Sequence, residues 1–169
     1  MKTHILLSIT FLVIIACTLP GYSQQSIDQR FASTAAEGGM LEVKLGELAM
    51  KKGSSKEVKD FGKGMITDHS KANNELKTLA KKKNITIPTS LSQKKQQQYD
   101  SLASMSGDKF DKVYMNMMLL SHEQTINLFE TEVNKGEDPE IKKWAGQKVP
   151  ALKHHLQMAN ALFPALEKH

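Results

Sequence analysis

Residues 58–79, VKDFGKGMITDHSKANNELKTL, decide the fold. Apolar side chains fall at Val58, Phe61, Met65, Ala72, Leu76 and Leu79, steps of three and four that repeat a helical turn and not the two-residue period of a strand. Stepping by the same intervals lands on Asp68, with His69 beside it, so this apolar stripe carries polar residues of its own. Gly53-Ser54-Ser55 precedes the stretch, the glycine as a stop for one helix and a serine as N-cap of the next, and Lys81-Lys82-Lys83 closes it, where cations complement the helix dipole.

Working outward, no proline occurs between Pro20 and Pro88, and a first helix is expected over residues 27–52, with Phe31, Ala35, Leu41, Leu45, Leu48 and Ala49 facing inward. The segment Ile85 to Ser90 is too short and proline-bound to be more than a connector. A short polar helix is expected over Gln93 to Met105. Phe110, Val113, Tyr114, Met117, Met118, Leu120, Phe129 and Val133 predict a long amphipathic helix over about 108–134. Gly136 ends it, and Asp138 caps the next with Pro139 at its first position. The last helix, over 140–162, buries Ile141, Trp144, Ala145, Leu152, Leu156, Ala159 and Leu162, and Pro150 should bend it. No strand candidate and no repeat of solenoid period is found. The expected fold is therefore all-α, an antiparallel four-helix bundle with a short extra helix between helices two and three.

The N-terminus is organised differently. Lys2 is followed by an apolar run from Ile5 to Cys17, too short to span a hydrocarbon layer of roughly 30 Å, and then by Pro20: the pattern of a signal peptide. Gly21-Tyr22-Ser23 suits cleavage before Gln24, and Ile14-Ile15-Ala16-Cys17 also resembles a lipobox that would make Cys17 a lipidated first residue. Pro20 and the Gly-x-Ser end favour the first route. The expected organisation is a signal peptide at 1–23 and one bundle domain at 24–169, located in the periplasm or cell envelope. Cys17 is the only cysteine, so the domain folds without a disulfide.

Removing residues 1–23 takes away Lys2 and no acid, so the net charge falls from +5 to +4. Lys51 to Lys95 holds twelve lysines against four acids, which makes a solvated helix face or a surface for peripheral contact with anionic envelope components. The stretch has no interleaved aromatics, so nucleic-acid binding is not expected. The usual enzyme signatures are missing too: there is no Gly-x-Ser-x-Gly turn, glycine-rich phosphate loop or Cys-x-x-Cys, and His122-Glu123 lacks a second histidine at 126. No Glu-x-x-His pair occurs, which disfavours a di-iron oxidase.

What remains is a set of polar residues on faces that should be buried. His122 shares a stripe with Met115, Leu119 and Phe129, and His155 shares one with Leu152, Ala159 and Leu162. Glu42 continues a row of small residues, Ala35, Gly38, Gly46 and Ala49. Glu42, Asp68, His69, His122 and His155 could thus meet at one depth, either as ligands of a transition-metal ion or small molecule, or as a hydrogen-bonded cluster that fixes helix register. Met65, Met115, Met117 and Met118 could add thioether ligands for Cu(I) but suit flexible core filling. His154 and His169 are expected to face solvent.

Three segments, Met65 to His69, Phe110 to Tyr114 with His122 after it, and Pro150 to Leu156, resemble the signature segments of a bacterial domain family of unknown function. The stretch Glu42 to Ala49 resembles its first helix, and the likeness covers about 28–162. Members of that family are labelled predicted outer-membrane or membrane proteins and assigned a ferritin-like fold. The resemblance implies that fold and singles out Glu42, Asp68, His69, His122 and, of the adjacent pair, His155. It implies no reaction. A weaker likeness is to copper-handling bundles with a Met-x-x-x-His pair, which typically show adjacent histidines where this chain has Asp68-His69.

Overall fold

A computed structural model describes residues 25–167; the expected signal peptide, Cys17, the cleavage site before Gln24 and His169 lie outside them. The described residues form five helices and no strand: α1 (Ile27–Lys52), α2 (Lys56–Lys82), α3 (Gln93–Ala103), α4 (Gly107–Lys135) and α5 (Pro139–Glu167). Serines 26, 55 and 92 each accept a backbone N–H from three residues ahead, and Asp138 accepts those of Glu140 and Ile141, two and three residues ahead, so every start except that of α4 is held by a side-chain cap. Asn84, with φ of 55°, turns the chain just beyond α2.

Helix α1 packs on α2 and α4 on α5; the two pairs meet through α1 with α4 and α2 with α5. Glycine sets the closeness of the first pair. A Cβ on Gly46 would lie 2.7 Å from the Gly62 carbonyl oxygen, and one on Gly62 would lie 2.7 Å from the Ala49 Cβ, so only glycine permits this backbone approach. Helix α3 touches α1 and α4, and the Lys52 ammonium bonds the Ala103 carbonyl at its end.

Two boundaries and one face differ from the sequence expectation. Helix α5 continues five residues past Leu162 and through both Pro150 and Pro164, because Phe163 and Leu166 still have core to pack against. Helix α3 ends at Ala103, two residues early. Leu120 is 52 % exposed, since it lies two positions from buried Met118 and so on the other side of α4; Met115 fills the place on the stripe.

The interior is divided. One apolar cluster contains Leu45, Phe61, Met65, Phe110, Tyr114 and Met118, and a second contains Phe31, Leu76, Phe129, Trp144 and Leu152. Along each long helix one buried polar residue falls between the two: Glu42 on α1, His69 on α2, His122 on α4 and His155 on α5. Methionines 65, 115 and 118 belong to the first cluster as core.

Candidate metal centre

Burying four titratable side chains at one level carries a desolvation penalty unless each is neutral or partnered. The three histidines converge there, with ring centroids 5.7 Å apart for His69 and His122, 5.5 Å for His69 and His155, and 5.4 Å for His122 and His155. Burial pushes all three below the ordinary histidine range, His69 to about 3, with its two histidine neighbours adding to the effect. They are neutral imidazoles at physiological pH.

Hydrogen bonds fix two of the tautomers. The Met118 carbonyl can only accept, so His122 Nδ1 donates to it at 2.9 Å and the Nε2 lone pair is left free. His155 Nε2 donates to Asp68 Oδ2 at 2.9 Å, which leaves its Nδ1 lone pair free. Both of those nitrogens, and Nε2 of His69, are buried and have no partner. One nitrogen from each ring lies within 4.8 Å of the others. A backbone carbonyl behind one imidazole and a carboxylate behind another are the outer contacts that orient histidines toward a metal. Tetrahedral Zn–N bonds of about 2.0–2.1 Å place ligand nitrogens roughly 3.3 Å apart, so small ring rotations would close this set.

Glu42 and Asp68 take other positions. Asp68 does not lie in the seam: its side chain is 53 % exposed at the rim, and it reaches inward only to His155. Glu42 is 5 % exposed; Ser121 donates to its Oε1, and its Oε2 has no partner. Burial raises its carboxyl to about 7. His154 is exposed, as expected. A cavity of about 200 Å3 opens beside the centre, and Glu42, Asp68, His69 and His155 line it, whereas His122 does not. Sequence reasoning missed Ser121, the Met118 carbonyl and this cavity; Ser121, next to His122, carried no distinguishing pattern, and a backbone carbonyl carries none at all.

The fold and the centre define an all-helical bundle with a buried layer of three neutral histidines. Residues 20–162 match the model of the family described as a domain of unknown function (DUF4142), and the chain belongs to that family. No curated protein matches it. Among solved structures it is similar to a DUF305 protein from Streptomyces coelicolor described as secreted, at 11 % identity and a TM-score of 0.72, over 85 % of this chain and 95 % of that one. A DUF305 fragment from Deinococcus radiodurans gives 8 % identity and a TM-score of 0.72, over 82 % and 96 %. CopM in its Cu(I)-bound form gives 18 % identity and a TM-score of 0.69, over 84 % and 98 %. At these identities the likeness is one of fold. No helix among the described residues is long and apolar enough to cross a membrane.

Proposed function

We propose that this chain is an exported, ferritin-like antiparallel four-helix bundle that holds a transition-metal ion between His69, His122 and His155, in the periplasm or cell envelope. The observation that carries this reading is the convergence of three buried imidazole nitrogens with no hydrogen-bond partner. The free lone pairs of His122 and His155 face an imidazole nitrogen of His69, and a cation bound by all three would satisfy them together. Neutral imidazole suits zinc and copper, and the structural neighbour solved with Cu(I) adds support for copper. Asp68 acts behind His155 and Glu42 from the adjacent wall; neither need be a direct ligand. Export rests on residues 1–23: the intact mass of the exported protein should begin at Gln24, and a lipidated Cys17 would instead anchor it.

A second reading, a register-setting cluster without metal, draws on the bonds His155 makes to Asp68 and His122 to Met118. The two separate in a thermal melt of the untagged mature protein, wild type and His122→Ala, with and without Zn²⁺, Cu²⁺ or Fe²⁺. A ligand bound only by the native state at a hundred times its Kd stabilises by about 2.7 kcal/mol, so the wild-type midpoint should rise clearly and that of the variant should not. A wild-type midpoint unmoved by every ion overturns the metal reading.

A further inference from the structure

A metal ion bound by His69, His122 and His155 has to reach nitrogens that are buried from bulk water. The cavity beside them bridges that distance. Thr34, Asp68, Gln124 and Ala151 on its lining are exposed, whereas His69 and His155 on the same lining are buried, so one space runs from the surface to the edge of the histidine layer. Along the bundle axis the layer is sealed by the two apolar clusters, whose close packing leaves no room for a hydrated ion. The cavity volume, about 200 Å3, holds several water molecules at roughly 30 Å3 each, so an ion can arrive there with part of its hydration shell.

The space exists because one helical hairpin carries small residues where the other carries larger ones. The α1–α2 and α4–α5 hairpins correspond at an offset of 83 positions, which relates their closing glycines, Gly53 and Gly136. At that offset Ala35, Gly38 and Ala72 on the cavity wall correspond to Met118, Ser121 and His155, so the first hairpin leaves open what the second fills. The charges on the lining also suit a cation. Lys148 is paired with Glu75, and Lys95 interacts with Glu37 and Glu42, whereas the exposed Asp68 sets its carboxylate directly beside the neutral imidazole of His155. We propose that this cavity is the passage through which a transition-metal ion enters and leaves the histidine centre, with Asp68 at its mouth and Gly38 on its wall. The proposal rests on the metal reading and adds a kinetic property to it: the passage sets how fast the ion exchanges and not how tightly it is held.

Gly38 provides the test. No atom lies within 4 Å of where its Cβ would be, so a larger side chain can occupy that space without displacing the fold, and helix propensity favours the change. Gly64 on α2 has equally open surroundings and lies outside the lining, which makes Gly64→Leu the control. Untagged mature protein, as wild type, Gly38→Ala, Gly38→Leu and Gly64→Leu, is given Zn²⁺ and Cu²⁺ in turn. Competition with a chelator of known affinity measures the Kd, and stopped-flow mixing measures uptake and chelator-driven release. Gly38→Leu should slow uptake and release alike, by about tenfold or more, and leave the Kd unchanged, because a barrier raised on the path acts equally in both directions. Gly38→Ala should have a smaller effect of the same kind, and Gly64→Leu should exchange like wild type. Exchange in Gly38→Leu as fast as in wild type, or a slowing that Gly64→Leu shares, overturns the passage and leaves the metal reading standing. Binding of neither ion by wild type overturns the passage together with the metal reading for those ions.

Discussion

Asp28 and Asp111 perform the same task at opposite ends of the bundle, each holding the turn of the other helix pair. Asp28, near the start of α1, accepts the backbone N–H groups of Glu137 at 2.9 Å and Asp138 at 3.0 Å, between α4 and α5. Asp111, near the start of α4, accepts those of Ser54 at 3.0 Å and Ser55 at 2.8 Å, between α1 and α2. Asp111 stands 83 positions after Asp28, as Gly136 stands after Gly53 and the N-cap Asp138 after the N-cap Ser55 (111 − 28, 136 − 53 and 138 − 55). The two helical hairpins are therefore equivalent in plan, and each clamps the other.

Both carboxylates are buried and each satisfies two backbone donors, so Asp28→Ala or Asp111→Ala should lower stability by about 1.5–3 kcal/mol, the usual worth of hydrogen bonds to a charged group. A 26-residue helix is roughly 39 Å long at 1.5 Å per residue, so the two sites are independent and the double variant should show the sum within about 0.5 kcal/mol. Chemical denaturation of the four proteins checks this; a marked departure from additivity would mean that the clamps communicate.

These clamps mark the limit of what the sequence disclosed. Helix positions were legible because stripes such as Val58, Phe61, Met65 and Leu76 are periodic, and the ends because Ser55, Gly136 and Asp138 have local chemistry. His122 and His155 were legible as inward residues on the same grounds. Asp68 was misplaced: the stepping rule cannot tell which of two adjacent residues, Asp68 or His69, takes the seam, and the neutral imidazole is the one that tolerates burial. Asp28 gave no signal, and Asp111 stood out only as one position of the family-like segment Phe110 to Tyr114, because an acid in the first turn of a helix is ordinary and only the tertiary approach of a distant turn makes it special.

Asp68 separates a role in metal affinity from one in stability. Its exposed carboxylate contributes little to folding, but it holds the His155 proton on Nε2 and so keeps Nδ1 available. Asp68→Asn should weaken metal binding by about 10- to 100-fold while moving the Tm of the metal-free protein only slightly. Competition with a chelator of known affinity measures the first, and a thermal melt the second. Equal affinity in the two proteins would remove Asp68 from the centre.

The depressed histidines give the proposed metal site an unusual acid limit. An exposed histidine is protonated below about 6.5 and ceases to bind metal, but burial keeps His69 neutral down to about 3 and holds His122 and His155 below the ordinary range as well. Metal should therefore be released at a lower pH than from exposed imidazoles. Metal retention across a pH series tests this, and half-release near 6.5 would mean that the imidazoles are open to water.

Glu132 should make the protein less stable as pH rises through neutrality. It is 1 % exposed, and burial first, then a hydrogen bond with the Asp28 carboxylate and the repulsion of its charge, raise its carboxyl to about 8. In the unfolded chain the same group titrates near 4.3. Between those values the native state holds a proton that the unfolded state has lost, so the protonated form favours folding at low pH and the advantage disappears as pH climbs through about 8. Glu42, raised to about 7, acts in the same direction, whereas the three buried histidines lower stability only as pH falls below about 6.5. The interval from 6.5 to 9 thus isolates the acids. The Tm of the metal-free protein should decline across it and level off above about 8. Glu132→Gln, which keeps the shape and cannot ionise, should raise the Tm at pH 9 and leave a shallower decline that ends near 7. A variant whose Tm follows the same curve as wild type would show that Glu132 is ionised in the native protein and that its burial is compensated by another group.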